Sequence, residues 1–193
     1  MMKRAVLVTL ALVCAGSTAF AQGAPVLVEA PRPPLPREGI FGGFGLWGGN
    51  ISCNGGDCGG FSAAGGASGD IGYMFNRQLG ILLDVWALTS SNNNVGLTFV
   101  TSTVDIRFWV LPILWVQGGL GSGHAIVHVD GFAAASDDVP IGELGAGLEL
   151  LRGRNWNLDI ALQVAQGTAT NSSGNGGTTT GRSTGLGVHL TWY

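Results

Sequence analysis

From Gly39 onward, apolar and polar residues alternate with a period of two, the repeat of an extended chain whose side chains point to opposite faces. Leu79, Ile81, Leu83, Val85 and Ala87 fall on one side of their segment, with Gly80, Leu82, Asp84 and Trp86 on the other. Within 100–110, Val104, Ile106, Phe108 and Val110 oppose Asp105 and Arg107; next, Leu114, Val116 and Leu120 oppose Gln117. Leu144, Ala146, Leu148 and Leu150 face away from Glu143 and Glu149, and Trp156, Leu158, Ile160, Leu162 and Val164 from Asn157, Asp159 and Gln163. The last segment sets Leu186, Val188, Leu190 and Trp192 against Gly185, Gly187, His189 and Thr191. Two earlier segments are blurred by glycine. In 39–51, Ile40, Phe44 and Leu46 share a parity; in 61–73, Ile71 and Tyr73 oppose Ser68 and Asp70. The pattern predicts eight strands.

The charges test this parity. Asp70, Asp84, Asp105, Arg107, Glu143, Glu149 and Asp159 all lie within the proposed strands, and each sits opposite the apolar side. The connections alternate as well: 51–60 is long and 75–78 short, 89–96 long and 111–112 tight, 130–139 long and 152–155 short. The longest, 168–182, is almost wholly Gly, Asn, Ser and Thr. A charge facing lipid near mid-bilayer costs about 2–4 kcal/mol, and short turns alternating with longer loops mark membrane barrels. The expectation is therefore an all-β, eight-stranded antiparallel up-and-down transmembrane barrel over 39–193. Tyr73, Phe108, Trp156 and Trp192 have outward parity beside the short turns, where amphipathic rings suit a girdle at headgroup level.

The seven charges then face the lumen, six acids against Arg107 alone, unless Arg77, Arg152 and Arg154 at the short turns reach inward. Trp86, Trp109 and Trp115 share the inward parity, and many inward neighbours are glycine. An eight-stranded interior has room for little more than side chains, so a plugged lumen is expected; the alternative is a narrow cation-preferring pore.

Composition supports a membrane setting. Charged residues make up 11% of the chain, 34 residues are glycine and the mean hydropathy is +0.34; soluble domains carry about 25% charge. No apolar run after the N-terminus is long enough for a spanning helix, and a closed barrel satisfies its backbone without one. Lys3 and Arg4, the apolar run from Ala5 to Cys14 and the Ala19-Phe20-Ala21 cleavage motif make 1–21 a signal peptide. A proline-rich periplasmic leader, 22–38, follows. Removing Lys3 and Arg4 from the nine basic residues leaves seven against twelve acidic ones, a net charge of about −5. With no basic patch, nucleic acid is not an expected partner. Cys53 and Cys58 remain as a pair in an oxidising compartment and are expected to form a small disulfide loop; metal binding would need further ligands, and no histidine lies nearby.

These segments resemble the small outer-membrane barrels of the OmpA and OmpX type over 39–193. Gly72-Tyr73-Met74-Phe75-Asn76-Arg77-Gln78-Leu79-Gly80 is similar to the recurrent strand-turn-strand of that family. The aromatic-ended strand Leu186–Tyr193 resembles the signal read by the outer-membrane insertion machinery, although the outward aromatic here is Trp192, with Tyr193 one residue beyond. The resemblance implies Sec-type export, a bacterial outer-membrane location, and outer-membrane lipids and the insertion machinery as partners. It further implies a structural or surface-interaction role, with a possible extracellular ligand held by the loops. OmpA carries a peptidoglycan-binding domain after its barrel, and peptidoglycan anchoring is not carried over.

No cofactor, metal site or catalytic residue is expected. His124 and His128 would stand about 13 Å apart on a strand, too far to share an ion. Some eight-stranded barrels are lipid-modifying enzymes with Ser, His and an acid, but Ser183 and His189 stand about 20 Å apart along one strand. The glycine run 118–123 lacks the Lys-Ser/Thr pair and the helix of a phosphate-binding loop.

Overall fold

A computed structural model describes residues 37–54, 63–92, 95–129, 132–170 and 178–193. The expected signal peptide, most of the leader and the Cys53–Cys58 disulfide lie outside the described residues.

Nine strands are described: β1 (Gly39–Asn54), β2 (Ala64–Met74), β3 (Leu79–Asn92), β4 (Val95–Leu111), β5 (Leu114–Val129), β6 (Phe132–Ala135), β7 (Val139–Arg152), β8 (Trp156–Thr170) and β9 (Thr178–Trp192). All pairs are antiparallel. Eight of the strands close a barrel, because β1 pairs with β9 from Gly42↔Trp192 to Asn54↔Thr180 and β4 pairs with β5. The ninth, β6, pairs only with the upper end of β5, from Ile126↔Ala135 to Val129↔Phe132. The expected eight-stranded up-and-down barrel is the observed fold. No described helix is long and apolar enough to cross a membrane, as a barrel requires none.

The wall is polar within and apolar without. Ile40, Ile71, Ile106, Leu120, Leu144 and Leu186 are exposed on its outer face, while Asp84, Asp105, Arg107, Gln163 and Thr191 are buried. Water would expel the first group and hydrate the second, so this distribution is stable only with hydrocarbon outside.

Both ends depart from the expected boundaries. Strands of 14 to 17 residues, as in β3 and β4, exceed the 9–11 that cross a bilayer. The connection expected over 89–96 is therefore mostly strand, with register Thr89↔Thr98 through Asn92↔Val95. Likewise, 130–139 contains β6, and 168–182 is cut back by the outer ends of β8 and β9. Thr89 and Thr98, whose hydroxyls meet at 3.0 Å, show why periodicity missed these extensions: beyond the lipid neither face need be apolar.

At the short-turn end, β-bulges interrupt the register at Trp109/Leu111 and at Glu149/Leu151. The second has a consequence for the lumen. Counting by twos from Leu144 would point Arg152 outward, but after the bulge Arg152 pairs with the buried Asn157. One extra residue has exchanged the faces, so the guanidinium turns inward.

Candidate functional site

The lumen is the concentration of polar chemistry among the described residues, and it is built in layers. At the short-turn mouth Arg37, only 6% exposed, donates from Nη2 to Pro112 O at 2.7 Å and to Glu149 Oε1. Arg152 Nη2 donates to the same carbonyl at 2.7 Å, and its Nε to Glu149 Oε2 at 3.0 Å. Trp109 Nε1 donates to Glu149 Oε1 at 3.1 Å, and the Arg37 guanidinium lies 4.8 Å from the Trp109 ring centroid. Arg37 reaches this mouth from just before Gly39, whose φ of 93° is a conformation open to glycine and strained for other residues. Arg37 thus brings the end of the expected leader, 22–38, to the barrel mouth.

One layer further in, Arg107 Nη2 donates to Asp70 Oδ2 at 2.8 Å and Nε to Gln117 Oε1 at 2.9 Å. Its guanidinium lies 4.5 Å from the Trp115 centroid and 5.7 Å from that of Phe41. Stacking and charge-assisted hydrogen bonding thus hold one cation in place. Trp115 Nε1 and Asn157 Nδ2 donate to the two oxygens of Asp159, at 3.0 and 2.6 Å. Trp115 occupies the space where a Cβ on its register partner Gly147 would lie, and Trp47 crowds its own partner, Gly187. Glycine here is a requirement of close approach: a flat ring needs a partner without a side chain.

Above this layer Asp84, Asp105 and Glu143 offer carboxylate oxygens all within 4.8 Å of one another. Gln117 Nε2 donates to Asp84 Oδ2 and Glu143 Oε1 at 3.4 Å each, Gln163 Nε2 to Glu143 Oε1 at 2.7 Å, and Thr103 Oγ1 to Asp105 Oδ2 at 3.0 Å. Oxygen-only ligands of this kind suit a hard cation. Towards the long-loop end, Trp47 and Trp86 pack at 5.7 Å, and the buried Leu88, Leu97, Phe99 and Ile141 follow.

The seven lumen charges named from the sequence are all buried, and they fall into three groups. Arg107 joins Asp70; Asp84, Asp105 and Glu143 cluster; Glu149 and Asp159 bond other partners. Tyr73, Phe108, Trp156 and Trp192 lie on the outer face near the short turns, all partly exposed. Arg77, Arg152 and Arg154 are all exposed at the short turns, and Arg152 is the one of the three whose guanidinium bonds a lumen acid, Glu149. Sequence reasoning missed Arg37, which precedes any strand periodicity, and the hub role of Gln117, an uncharged residue. It also missed Thr191, whose Oγ1 lies 3.2 Å from His189 Nδ1 while His189 Nε2 lies 3.4 Å from Asp70 Oδ2. Hydroxyl, imidazole and carboxylate in series have the order of a nucleophile relay. Thr191 is 0% exposed, however, so no ester substrate reaches it in this structure. Ser183, also buried, sits six residues from His189 along the same strand and makes no contact with the relay.

The sequence matches no family model and no curated protein. The structure is similar to the crystal structure of Neisserial surface protein A, with a TM-score of 0.61 at 14% identity, covering 79% of this chain and 96% of that one. The attachment invasion locus protein of Yersinia pestis matches with a TM-score of 0.47 at 16% identity, covering 79% and 99%. The fold is that of the small eight-stranded outer-membrane barrels.

Proposed function

We propose that this chain is a non-enzymatic protein of the bacterial outer membrane, with a plugged barrel that carries polar loops at the cell surface for structural or adhesive contacts. The short-turn end, where both chain ends of the barrel lie, faces the periplasm in this reading, and the long-loop end faces outward. Cys53 and Cys58 close one outer loop as a disulfide, and residues 22–38 form the proline-rich periplasmic leader left after Sec-type export and removal of 1–21. The strand ending at Trp192 carries the signal for the insertion machinery. Tyr73, Phe108, Trp156 and Trp192 anchor the periplasmic headgroup level.

The observation that carries the plug is the Arg107 layer, where one guanidinium bonds Asp70 and Gln117 and stacks on Trp115. Eight-stranded interiors are about as wide as their side chains, so such a layer leaves no aqueous path. The mature protein reconstituted in planar bilayers is expected to give no discrete conductance steps; steady cation-selective steps would replace the plug with a pore. The pore reading has its own support in the Asp84, Asp105 and Glu143 cluster, in which Asp84 Oδ1, Asp105 Oδ1 and Glu143 Oε2 have no protein donor. For the surface role, exchanging the outer loops for short turns is expected to abolish binding to host cells or matrix while leaving the barrel inserted. Unchanged binding would count against that role.

A further inference from the structure

Six buried carboxylates line the lumen against three guanidiniums, and the shortfall of positive charge is concentrated in one place. Asp70 takes Arg107, and Glu149 takes both Arg37 and Arg152. Asp159 is held by Trp115 and Asn157. Asp84, Asp105 and Glu143 have no guanidinium or imidazole partner among the described residues, yet each offers an oxygen within 4.8 Å of the other two. Charges brought together and out of water in this way are costly until something of opposite sign joins them.

The three acids come from β3, β4 and β7, so the curl of the wall assembles the cluster. Gly119, on the intervening β5, is the register partner of both Asp105 and Glu143. A Cβ at Gly119 would lie 1.6 Å from Asp105 Oδ1 and 2.3 Å from Val104 O. The missing side chain therefore leaves the room into which Asp105 turns, on the side of Glu143. Protein donors reach one oxygen of each acid: Gln117 bonds Asp84 Oδ2, Thr103 bonds Asp105 Oδ2, and Gln117 and Gln163 bond Glu143 Oε1. The second oxygen of each, Asp84 Oδ1, Asp105 Oδ1 and Glu143 Oε2, is buried with no donor among the described residues. The residues themselves are only 3%, 0% and 2% exposed.

We propose that these three carboxylates hold one calcium ion in the middle of the lumen. Donors that are all oxygen select a hard cation, and opposite ligands of calcium, at about 2.3–2.6 Å from the ion, span about 4.6–5.2 Å. The cluster falls within that span. Magnesium demands a near-ideal octahedron and keeps several waters, for which an interior filled by side chains has little room. Gln163, whose amide meets Glu143 at 2.7 Å, adds a neutral oxygen ligand when that amide turns end for end. The Arg107 and Trp115 layer lies below the site and the Trp47 and Trp86 pair above it, so an ion trapped at barrel closure leaves slowly. The proposal rests on the plugged reading, because in an open pore the ion would exchange freely.

The test folds the mature protein into phosphatidylcholine vesicles in about 1 mM calcium, the range of extracellular calcium modules, or in EDTA. Shifted gel mobility before boiling checks the barrel. After desalting into EDTA, retained calcium is measured by elemental mass spectrometry. About one ion per folded barrel is expected from the calcium sample and none from the EDTA sample, with a higher urea midpoint for the first. Glu143→Gln and Asp105→Asn are expected to retain about tenfold less calcium, because affinity follows the number of charged ligands. Each also relieves repulsion in the empty cluster, so neither is expected to unfold more readily than wild type in EDTA. Asp138→Asn, at an exposed position, is expected to retain calcium as wild type. Conductance steps from the folded barrel would reject the plug and the trapped ion with it. A silent barrel that holds no calcium, or wild-type retention by folded Glu143→Gln, overturns the calcium site alone.

Discussion

Arg107 on β4 reaches over β3 to bond Asp70 on β2 at 2.8 Å, and both side chains are almost completely shielded from solvent. This pair joins non-adjacent staves and therefore resists distortion of the wall in a way that hydrogen bonds between neighbours do not. Breaking a buried pair strands its surviving charge, at a cost of about 3–5 kcal/mol, whereas replacing both members with apolar groups of similar size is often neutral. Arg107→Met is therefore expected to lower stability by about that amount in urea unfolding from vesicles, and Arg107→Met with Asp70→Leu to recover most of it. A double variant as unstable as the single one would show that the pair is not the unit of stabilisation.

The mouth offers a second prediction. Arg37→Ala leaves Glu149 with Arg152 and Trp109 and is expected to cost about 1–3 kcal/mol. Gly39→Ala meets no atom within 4 Å but must adopt a positive φ, so a loss of about 1–2 kcal/mol is expected from backbone strain alone. Urea midpoints of the two variants measure this, and wild-type stability of Gly39→Ala would show that the chain enters β1 along another path.

Glycines that look alike in the sequence should differ in tolerance. Gly147→Val places its side chain in the ring of Trp115, and overpacking of that kind costs about 1–3 kcal/mol or more. Gly48→Ala, with nothing within 4 Å of the added carbon, is expected to fold as wild type. The folded fraction on unboiled gels distinguishes them.

Orientation in lipid is tested by charge. Ile106→Arg places a cation on the exposed apolar face and is expected to cost about 2–4 kcal/mol if that face meets the hydrocarbon. The same substitution at Leu111, at the short-turn end, is expected to cost about 0–1 kcal/mol. Equal unfolding midpoints for the two variants would remove the depth assignment.

How much of this was legible in the sequence depended on one-sidedness. Where one face of a strand meets lipid, Asp105 and Ile106 cannot exchange places, and period two reads out the wall directly. The ends lack that constraint. Thr89, Thr168 and Arg182 lie on strands, yet the outer face there is open to polar groups, so composition suggested loops. Arg152 stands with Arg77 and Arg154 in the sequence as a turn arginine able to reach inward, and what selects it is a bulge, which reverses parity without leaving a mark in the residue types. The partners of the lumen acids were hidden for a different reason: Arg37 meets Glu149, and Gln117 meets Asp84 across the intervening β4, only once the sheet curls and brings non-adjacent staves together.

The seam between β1 and β9 runs from Gly42↔Trp192 to Asn54↔Thr180, joining the two ends of the barrel sequence. Until that final zipper engages, the growing sheet has two raw margins, each a row of free amides and carbonyls that hydrocarbon cannot satisfy. A barrel sequence lacking either β1 or β9 cannot seal that seam, so the wall closes only when both of its terminal strands are in place.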